Sequence, residues 1–421
     1  MRRYQLNRKN SSFRSPMALV SLLVLTLVTT RAAQAQTYNI LHTFSGGGDG
    51  GFPIAGLTMD RAGNLYGTAN SGGAGYGTVY QLKHKGSNWL FAPLYSFAGL
   101  TGSDGAGPES RVIFGPNGTL YGTTVLGGFG SGTVYNLRPQ AKACPNIICP
   151  WTETVLYRFV TGADGYLPVF GDLIFDQAGN IYGTTYQGNP YEAGTVYELT
   201  PSGGGWTESI LYSFTGSDGL FPYHGVISDG AGSLYGTTER GGAYFGGSNP
   251  GYGTVFRLTP SGSGWKESVL YSFQNGSDGE YPDAGLIFDP SGNLYGATDN
   301  GGQDGGGTVF KLSPSSGGWT FTLLYSFTGD FDCGPYGTLV MDGAGSLYGT
   351  TLCDGANHAG SVFKLTPSGN SWTYTSLHDF TGGSDGENPY CNVVFDANGN
   401  LYGTASAGGL QGYGVVWEIA P

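Results

Sequence analysis

The chain has 421 residues and a formal net charge of −12, and only 11% of its residues are charged. This acidic balance excludes nucleic acid as a partner, because phosphate binding needs clustered Lys and Arg side chains. Glycine contributes 78 residues, and 29 tyrosines and 23 phenylalanines accompany it. High glycine without a collagen period, together with many aromatic residues, predicts short strands and tight turns.

Residues 1–35 predict a signal peptide that is cleaved on export. Basic residues come first, an apolar run follows at residues 17–28, and Ala33-Gln34-Ala35 ends the segment. This order is typical of secretory signals, and the run is short for an uncleaved membrane anchor, which is the alternative. We therefore expect a secreted protein, extracellular or periplasmic, with no membrane insertion after cleavage. Loss of the six basic residues of this segment would change the net charge to −18.

Residues 36–421 repeat one unit seven times. The clearest mark of the unit is a Tyr-Gly pair, and successive pairs lie 53 to 61 residues apart. Their tyrosines are Tyr66, Tyr121, Tyr182, Tyr235, Tyr295, Tyr348 and Tyr402. A recurring period of about 55 residues indicates a repeat architecture, in which each unit buries its apolar face against its neighbours.

Each unit contains four predicted strands, here named a to d in chain order. In the fifth unit they are residues 285–289, 293–298, 308–312 and 319–327. Short connections rich in Pro, Gly and Ser make the four strands an antiparallel meander. In strand d, a tryptophan precedes a phenylalanine by eight residues in six units. This even separation predicts that both rings lie on one face of the strand, between adjacent sheets.

The two ends of residues 36–421 predict how the repeats close. Residues 38–44 have the pattern of a strand d, and residues 415–419 have that of a strand c. The N-terminal strand would therefore complete the last unit, which leaves no open seam. The predicted fold is an all-β, seven-bladed β-propeller of four-stranded antiparallel blades, formed by residues 36–421 as a single domain. We expect a monomer.

The repeated motifs resemble a known family. The string of GLxxD, GNLYGTT, a glycine-rich loop, GTVFxL and WxxxxLYSF resembles the GloVer-type tandem repeat of exported bacterial proteins, whose means of surface anchoring varies. Pieces of the string are also similar to NHL repeats and to kelch repeats. The resemblance implies an exported repeat protein and assigns it no reaction or ligand.

Candidate site residues lie on the propeller face that carries the d-to-a and b-to-c loops. The first positions of strand a should surround the mouth of the central channel, and they include Glu109, Asp172, Tyr223, His224, Asp283, Tyr336 and Tyr390. Blade 4 adds Glu239, Arg240, Tyr244 and Tyr252. A His, a carboxylate and an Arg beside exposed aromatic rings can bind a sugar or perform acid–base chemistry. The alternative is a polar channel lining with a solvated Glu–Arg pair.

An Asp-Gly pair recurs in the d-to-a loops. The aspartates are Asp49, Asp104, Asp164, Asp218, Asp278 and Asp385. Such pairs are foremost turn signals, and calcium coordination by the repeated carboxylates is the alternative. Calcium is the one cofactor considered, and no other cofactor is expected.

The five cysteines suit an exported protein. Cys144 and Cys149 lie in an insertion of the second blade, where a local disulfide is expected. Cys333, Cys353 and Cys391 lie on the face with the candidate site, and Cys333 with Cys353 is the favoured pair.

These features favour a binding or structural module at or outside the cell surface, with a polysaccharide or a surface protein as its partner. The first alternative is a glycan-active hydrolase or lyase over the channel, for which Glu109, Asp172, Glu239 and Asp283 are the available acids. The second is a calcium-dependent, lactonase-like enzyme.

Overall fold

A computed structural model describes Met1 and residues 36–421, apart from residues 87, 100–103, 141–150, 163, 189–190 and 330. Gln36–Pro421 forms one compact unit. The predicted signal peptide and the predicted Cys144–Cys149 disulfide lie outside the described residues. No helix among the described residues has the length and apolar character needed to cross a membrane.

The described strands form seven four-stranded antiparallel sheets, one for each repeat. Blade 1 comprises Thr58–Met59, Leu65–Ala69, Thr78–Lys85 and Asn88–Ser96. Blade 2 comprises Ile113–Phe114, Leu120–Thr124, Thr133–Arg138 and Thr152–Arg158. Blade 3 comprises Ile174–Phe175, Ile181–Thr185, Thr195–Ser202 and Gly205–Ser213. Blade 4 comprises Ile227–Ser228, Leu234–Thr238, Thr254–Ser261 and Gly264–Ser272.

The remaining blades follow the same plan. Blade 5 comprises Ile287–Phe288, Leu294–Thr298, Thr308–Ser315 and Gly318–Ser326. Blade 6 comprises Val340–Met341, Leu347–Thr351, Ser361–Ser368 and Ser371–Asp379. Blade 7 comprises Val394–Phe395, Leu401–Ala405 and Val415–Ala420, together with the N-terminal strand Thr37–Thr43. Two short strands of the blade 2 loops, Gly105–Ala106 and Leu126–Gly127, pair separately.

The predicted seven-bladed propeller and its closure are confirmed. Thr37–Thr43 pairs antiparallel with Val415–Ala420, so the first strand of the domain is strand d of the last blade. Phe44, directly after this strand, is fully buried. The ring is therefore closed inside blade 7, by the same antiparallel pairing of strands c and d that the other six blades have.

The Tyr-Gly motif has a packing reason. In each blade the glycine lies in strand b, directly under an aromatic ring of strand c. A Cβ atom on Gly296 would lie 2.6 Å from the ring of Phe310, and one on Gly236 would lie 2.7 Å from the ring of Phe256. The ring-bearing residues are Tyr80, Tyr135, Tyr197, Phe256, Phe310, Phe363 and Trp417, all fully buried. Glycine is thus required for close approach.

The expectation that the Trp and Phe of strand d share one face is wrong. Leu94 is an extra residue in the ladder between strands c and d of blade 1, and this β-bulge reverses the alternation of side chains. As a result Trp89 packs with Tyr402 of the preceding blade, whereas Phe97 packs with Tyr135 of the following blade. The same register shift recurs in blades 2 to 6. Both rings still fill the space between blades, on opposite sides of their own sheet.

Candidate functional site

The propeller has two faces, which carry different connections between its strands. We name the face with the d-to-a and b-to-c loops the Asp-Gly face, and the face with the a-to-b and c-to-d turns the hairpin face. Connections alternate between the two faces because every blade is an antiparallel meander. The residues predicted as a site belong to the Asp-Gly face and to the channel beneath it.

The six Asp-Gly aspartates serve their own loops. Each carboxylate bonds to a Tyr or His side chain of strand d and to a backbone N–H of the same loop. Asp278, for example, accepts from the Tyr271 hydroxyl at 2.8 Å and from the Gln274 N–H at 3.1 Å. Among the described residues, no group of three or more Asp, Glu, His or Cys side chains is arranged to hold a metal ion. The geometry is that of the predicted turn, with one aspartate in each loop.

Four aromatic rings meet across the channel mouth. Phe170 stacks on Tyr223 with ring centroids 4.8 Å apart and lies 6.2 Å from Tyr390. Tyr336 is 5.3 Å from Tyr390 and 6.4 Å from Tyr223, which closes the circuit. These rings come from blades 3, 4, 6 and 7, and each is half-buried. We name these four residues the aromatic platform.

Two carboxyl groups of blade 5 lie beside the aromatic platform, and one of them, Asp299, shares a hydrogen bond with the platform residue Tyr336. Asp283 and Asp299 are 5% and 1% exposed, and the Oδ1 atom of each has no hydrogen-bond partner among the described residues. Burial raises the pKa of Asp283 well above its usual range, and the charges of Glu239 and Asp299 add to the rise. Burial also raises the pKa of Asp299 to about 7. The pair therefore holds protons at pH values where an ordinary aspartate has none, and can donate as well as accept hydrogen bonds.

Asn300 and Asp332 fix the outer side of this carboxyl pair. The Asn300 amide donates to Asp299 at 2.9 Å and to Asp332 at 2.8 Å. Its oxygen accepts the backbone N–H of Asp332 at 2.6 Å. The amide thus bridges two acidic groups of neighbouring blades and holds them at a set separation.

The blade 4 cluster divides into two parts. Glu239 accepts from the Tyr186 hydroxyl at 2.7 Å and from Arg240 Nε at 2.9 Å. Arg240 lies over the Tyr281 ring, 4.5 Å from its centroid. Because Tyr186 also contacts the platform residue Tyr223, this part belongs to the mouth.

Tyr244 and Tyr252 form the second part of blade 4. Their rings lie 6.2 Å apart, and Tyr252 also accepts a hydrogen bond from Asn249 at 3.2 Å. Tyr244 is exposed. This pair shapes the long b-to-c loop and is separate from the ring circuit at the mouth.

A cavity of about 180 Å³ lies inside the channel. An ion pair between Arg111 Nη2 and Asp172 Oδ2, 2.7 Å apart, lines it together with His224. Burial lowers the pKa of His224, and the nearby Asp172 charge opposes that shift. His224 Nδ1 has no hydrogen-bond partner among the described residues. His224 and Asp172 thus belong to the channel interior.

Glu109 occupies the mouth position of blade 2. Its carboxylate accepts from the Asn70 amide at 2.8 Å, and burial raises its pKa to about 7. Glu109, Glu239 and Asp283 do not line the channel cavity that Asp172 lines. Among the four acids considered for a hydrolase, Asp172 therefore lies apart from the other three and cannot pair with them across this cavity.

The predicted Cys333–Cys353 disulfide is present, and Cys391 is a buried free thiol. The disulfide stands where the other six blades have an antiparallel β-bridge between the d-to-a and b-to-c loops. In blade 1, for example, Gly51 and Ser71 exchange backbone hydrogen bonds of 3.0 and 3.1 Å. In blade 6 only the N–H of Cys353 approaches the carbonyl of Cys333, at 3.5 Å. A covalent link replaces the hydrogen-bonded pair.

Two larger cavities lie on the hairpin face, where the sequence predicts no site. One, of about 480 Å³, lies between blades 7 and 1, and we name it the seam groove. The other, of about 560 Å³, lies between blades 3 and 4, and we name it the blade 3–4 groove. Trp89 lines the seam groove and Trp265 the blade 3–4 groove. The sequence signal for these grooves is the tryptophan that recurs in strand d. By itself, that recurrence predicts core packing and no binding site.

Seven four-stranded blades, closed by an N-terminal strand, define a β-propeller built from tandem repeats. The chain belongs to the Gloeobacter/Verrucomicrobia repeat family, whose model matches residues 26–248 and 244–421. The predicted family is thereby confirmed. A search of curated proteins finds no match.

Solved structures similar to this chain are distant from it in sequence. A candidate gluconolactonase is 15% identical with a TM-score of 0.40, covering 76% of this chain and 89% of that chain. A candidate oxidoreductase (glucose dehydrogenase) from Thermus thermophilus is 14% identical with a TM-score of 0.44, covering 91% and 100%. A candidate 6-phosphogluconolactonase from Bacteroides uniformis is 15% identical with a TM-score of 0.48, covering 77% and 84%. At these values, no activity is carried over to this chain.

Proposed function

We propose that the protein is an exported binding module that holds a polysaccharide at the mouth of its channel on the Asp-Gly face. The observation that carries this proposal is the aromatic platform beside a carboxyl pair with unpartnered oxygens. Sugars present apolar C–H faces and hydroxyl edges. The platform suits the first, and the carboxyl groups suit the second.

Export is part of the same proposal. The Cys333–Cys353 disulfide suits an oxidising compartment outside the cytosol. The predicted signal peptide and the resemblance to exported repeat proteins support the same location. A surface protein is the other partner class considered. A polysaccharide is favoured because polar side chains beside the platform, among them Asp283, Asp299 and Glu239, can form hydrogen bonds with sugar hydroxyls.

A glycan array tests the proposal, followed by titration of the mature chain with any retained glycan. Tyr223→Ala should weaken binding about tenfold or more, since it removes the ring that contacts two other platform rings. Phe129→Ala is the matched control, because Phe129 is an aromatic residue of a b-to-c loop on the same face and is 73% exposed. Equal weakening by both variants, or no retained glycan, contradicts the proposal. Repeating the array with calcium and with chelator tests whether calcium takes part in glycan binding.

A further inference from the structure

The seam groove on the hairpin face is a second candidate binding site, away from the aromatic platform. Blade 1 contributes Arg61, His84 and Trp89, and blade 7 contributes Asn398 and Tyr402 to its lining. We propose that this groove binds a sugar unit that carries a negative charge, such as a uronate of an acidic polysaccharide. Its volume of about 480 Å³ is that of a small-ligand pocket.

Aromatic side chains form one wall of the seam groove. The Trp89 ring lies 5.7 Å from the Tyr402 ring and 4.7 Å from the His84 ring. Trp89 is half-buried and therefore offers part of its surface to the groove. A partly exposed indole in a concave site is a suitable surface for the apolar face of a sugar ring.

The carboxylates of the seam groove are already saturated by donors of the protein. Asp396 accepts from the N–H groups of Asn398 and Asn400 at 2.8 and 2.9 Å and from their side-chain amides at 3.3 and 2.9 Å. The Tyr402 hydroxyl also approaches Asp396, at 3.3 Å. Because these bonds hold the a-to-b turn, Asp396 shapes the wall and has little capacity left for a ligand.

Asp60 and Glu418 are engaged in the same way. Asp60 accepts from Ala62 and Asn64 N–H groups at 2.9 Å each, from the Asn64 amide at 2.8 Å and from the Tyr66 hydroxyl at 3.1 Å. Glu418 accepts from Tyr402 at 2.8 Å and from Asn39 at 3.3 Å. Their negative charges remain and oppose an anion. The cationic side chains must outweigh them at close range.

Arg61 is the arginine of the seam groove lining. It is exposed, it lines the groove, and it makes no hydrogen bond or ion pair with any other residue that the structure describes. Lys83 and Lys85 stand exposed on the adjoining c-to-d hairpin, where blades 3 to 6 have Thr-Pro-Ser or Ser-Pro-Ser. The guanidinium matches a carboxylate in bidentate geometry. Screening over about 8 Å at physiological salt limits repulsion by the acidic Asp-Gly face.

The blade 3–4 groove provides a natural comparison without these cations. Trp265 and Tyr182 occupy the positions of Trp89 and Tyr402. Gly230 stands where blade 1 has Arg61, and Pro260 stands where it has His84. The two grooves share their architecture and differ in charge. The positive groups of the seam groove are thus not required for folding a blade.

The test uses calorimetric titration of the mature chain with a galacturonate tetrasaccharide and with the same tetrasaccharide after reduction of its carboxyl groups. We expect Arg61→Gly, which installs the residue of blade 4, to weaken binding of the acidic probe about tenfold. Gly230→Arg should add a second binding site in the blade 3–4 groove. A Cβ on Gly230 meets nothing within 4 Å and needs no left-handed backbone, so this variant should fold.

Several outcomes would overturn the proposal. They are unchanged affinity in Arg61→Gly, equal affinity for the acidic and the reduced probe, and absence of any binding to the acidic probe. Tyr223→Ala separates this site from the aromatic platform. Binding of the acidic probe should survive that substitution, and its loss there with full retention in Arg61→Gly would place the ligand at the platform instead.

Discussion

The Tyr-Gly motif requires glycine because its position has no space for a Cβ atom. Its backbone is in an ordinary strand conformation, yet the aromatic ring of strand c leaves no room for a Cβ atom. The repeat therefore requires glycine at this position in every blade, and the ring varies among Tyr, Phe and Trp. The motif that identifies the family is thus a packing signature, and it carries no chemistry of its own.

We predict that Gly296→Ala lowers the free energy of unfolding by about 1–3 kcal/mol, because Phe310 must move to admit the methyl group. Denaturant unfolding measures the loss. Gly230→Ala is the matched control, since its Cβ would meet nothing within 4 Å. It should leave stability unchanged or raise it slightly. Equal stability of Gly296→Ala and wild type would refute the packing argument.

The carboxyl pair at the mouth should make stability depend on pH. The folded-state pKa of Asp299, about 7, is above the ordinary aspartate value, so its contribution is fully present below pH 4 and is lost as the pH rises through 7. Asp299→Asn removes that loss. Between pH 4 and pH 8, the free energy of unfolding of the variant should therefore rise relative to that of wild type by on the order of 1 kcal/mol or more. The Asp299→Asn substitution should also lower the pKa of Asp283, because the Asp299 charge helps to raise that pKa.

Unfolding midpoints of wild type and Asp299→Asn, measured across this pH range, test the prediction. The exposed Asp304 supplies the control variant, Asp304→Asn, which should follow wild type. Parallel pH curves for wild type and Asp299→Asn would show that burial does not hold a proton on this pair.

Among the strands, strand d shows why part of the structure cannot be predicted from the sequence. The Trp–Phe separation is eight residues in every blade with the Trp, and the bulge at Leu94 and its equivalents is also constant. A bulge that recurs in every repeat leaves the spacing unchanged. Its presence is therefore invisible in the pattern, although it decides which neighbour each ring contacts. Turn residues and alternating apolar positions, by contrast, mark the other strand ends directly.

The disulfide of blade 6 has a structural counterpart in every other blade, so its role can be measured against them. It closes a segment of 20 residues in place of a two-bond β-bridge. We predict that the Cys333→Ser/Cys353→Ser double variant loses about 3 kcal/mol of unfolding free energy, from the chain entropy of a loop of this size. Hydrogen exchange should rise in the blade 6 loops alone.

Reductant distinguishes this link from the other cysteines. Adding reductant to wild type should lower its guanidinium midpoint to that of the double variant in the same reductant. Any further drop in the double variant belongs to Cys144 and Cys149, for which a disulfide stays a prediction. If reductant leaves the wild-type midpoint unchanged, the bond contributes nothing to the stability of the protein.

At the scale of the whole molecule, the ring was predictable and the sites were predictable only in part. A proline precedes strand a in every blade, and register counted from it predicts Tyr223, Tyr336 and Tyr390 at the mouth, where their rings meet. Phe170 was missed because blade 3 has one extra residue before Asp172, which shifts the register there. Both hairpin-face grooves were missed because each forms between two blades, and no single repeat contains it.

Because the N-terminal strand closes the ring, its removal should destabilise the protein and expose a strand edge. A chain that begins at residue 45 would leave Val415–Ala420 as an unpaired edge and would lose the fully buried Phe44. It would also lose the stacking of Tyr38 on His378, with rings 3.9 Å apart. We expect its unfolding midpoint to fall by about 5 °C or more relative to a chain that begins at Gln36. The exposed edge should also promote concentration-dependent association.

A synthetic peptide of residues 37–44 makes this prediction specific. Added in excess, it should pair with the exposed edge and raise the midpoint of the shortened chain by mass action, and it should suppress association on size-exclusion chromatography. A scrambled peptide of the same composition is the control. If the shortened chain stays monomeric and melts with the longer one, the first strand does not hold the ring closed, and stability resides in the seven inter-blade cores alone.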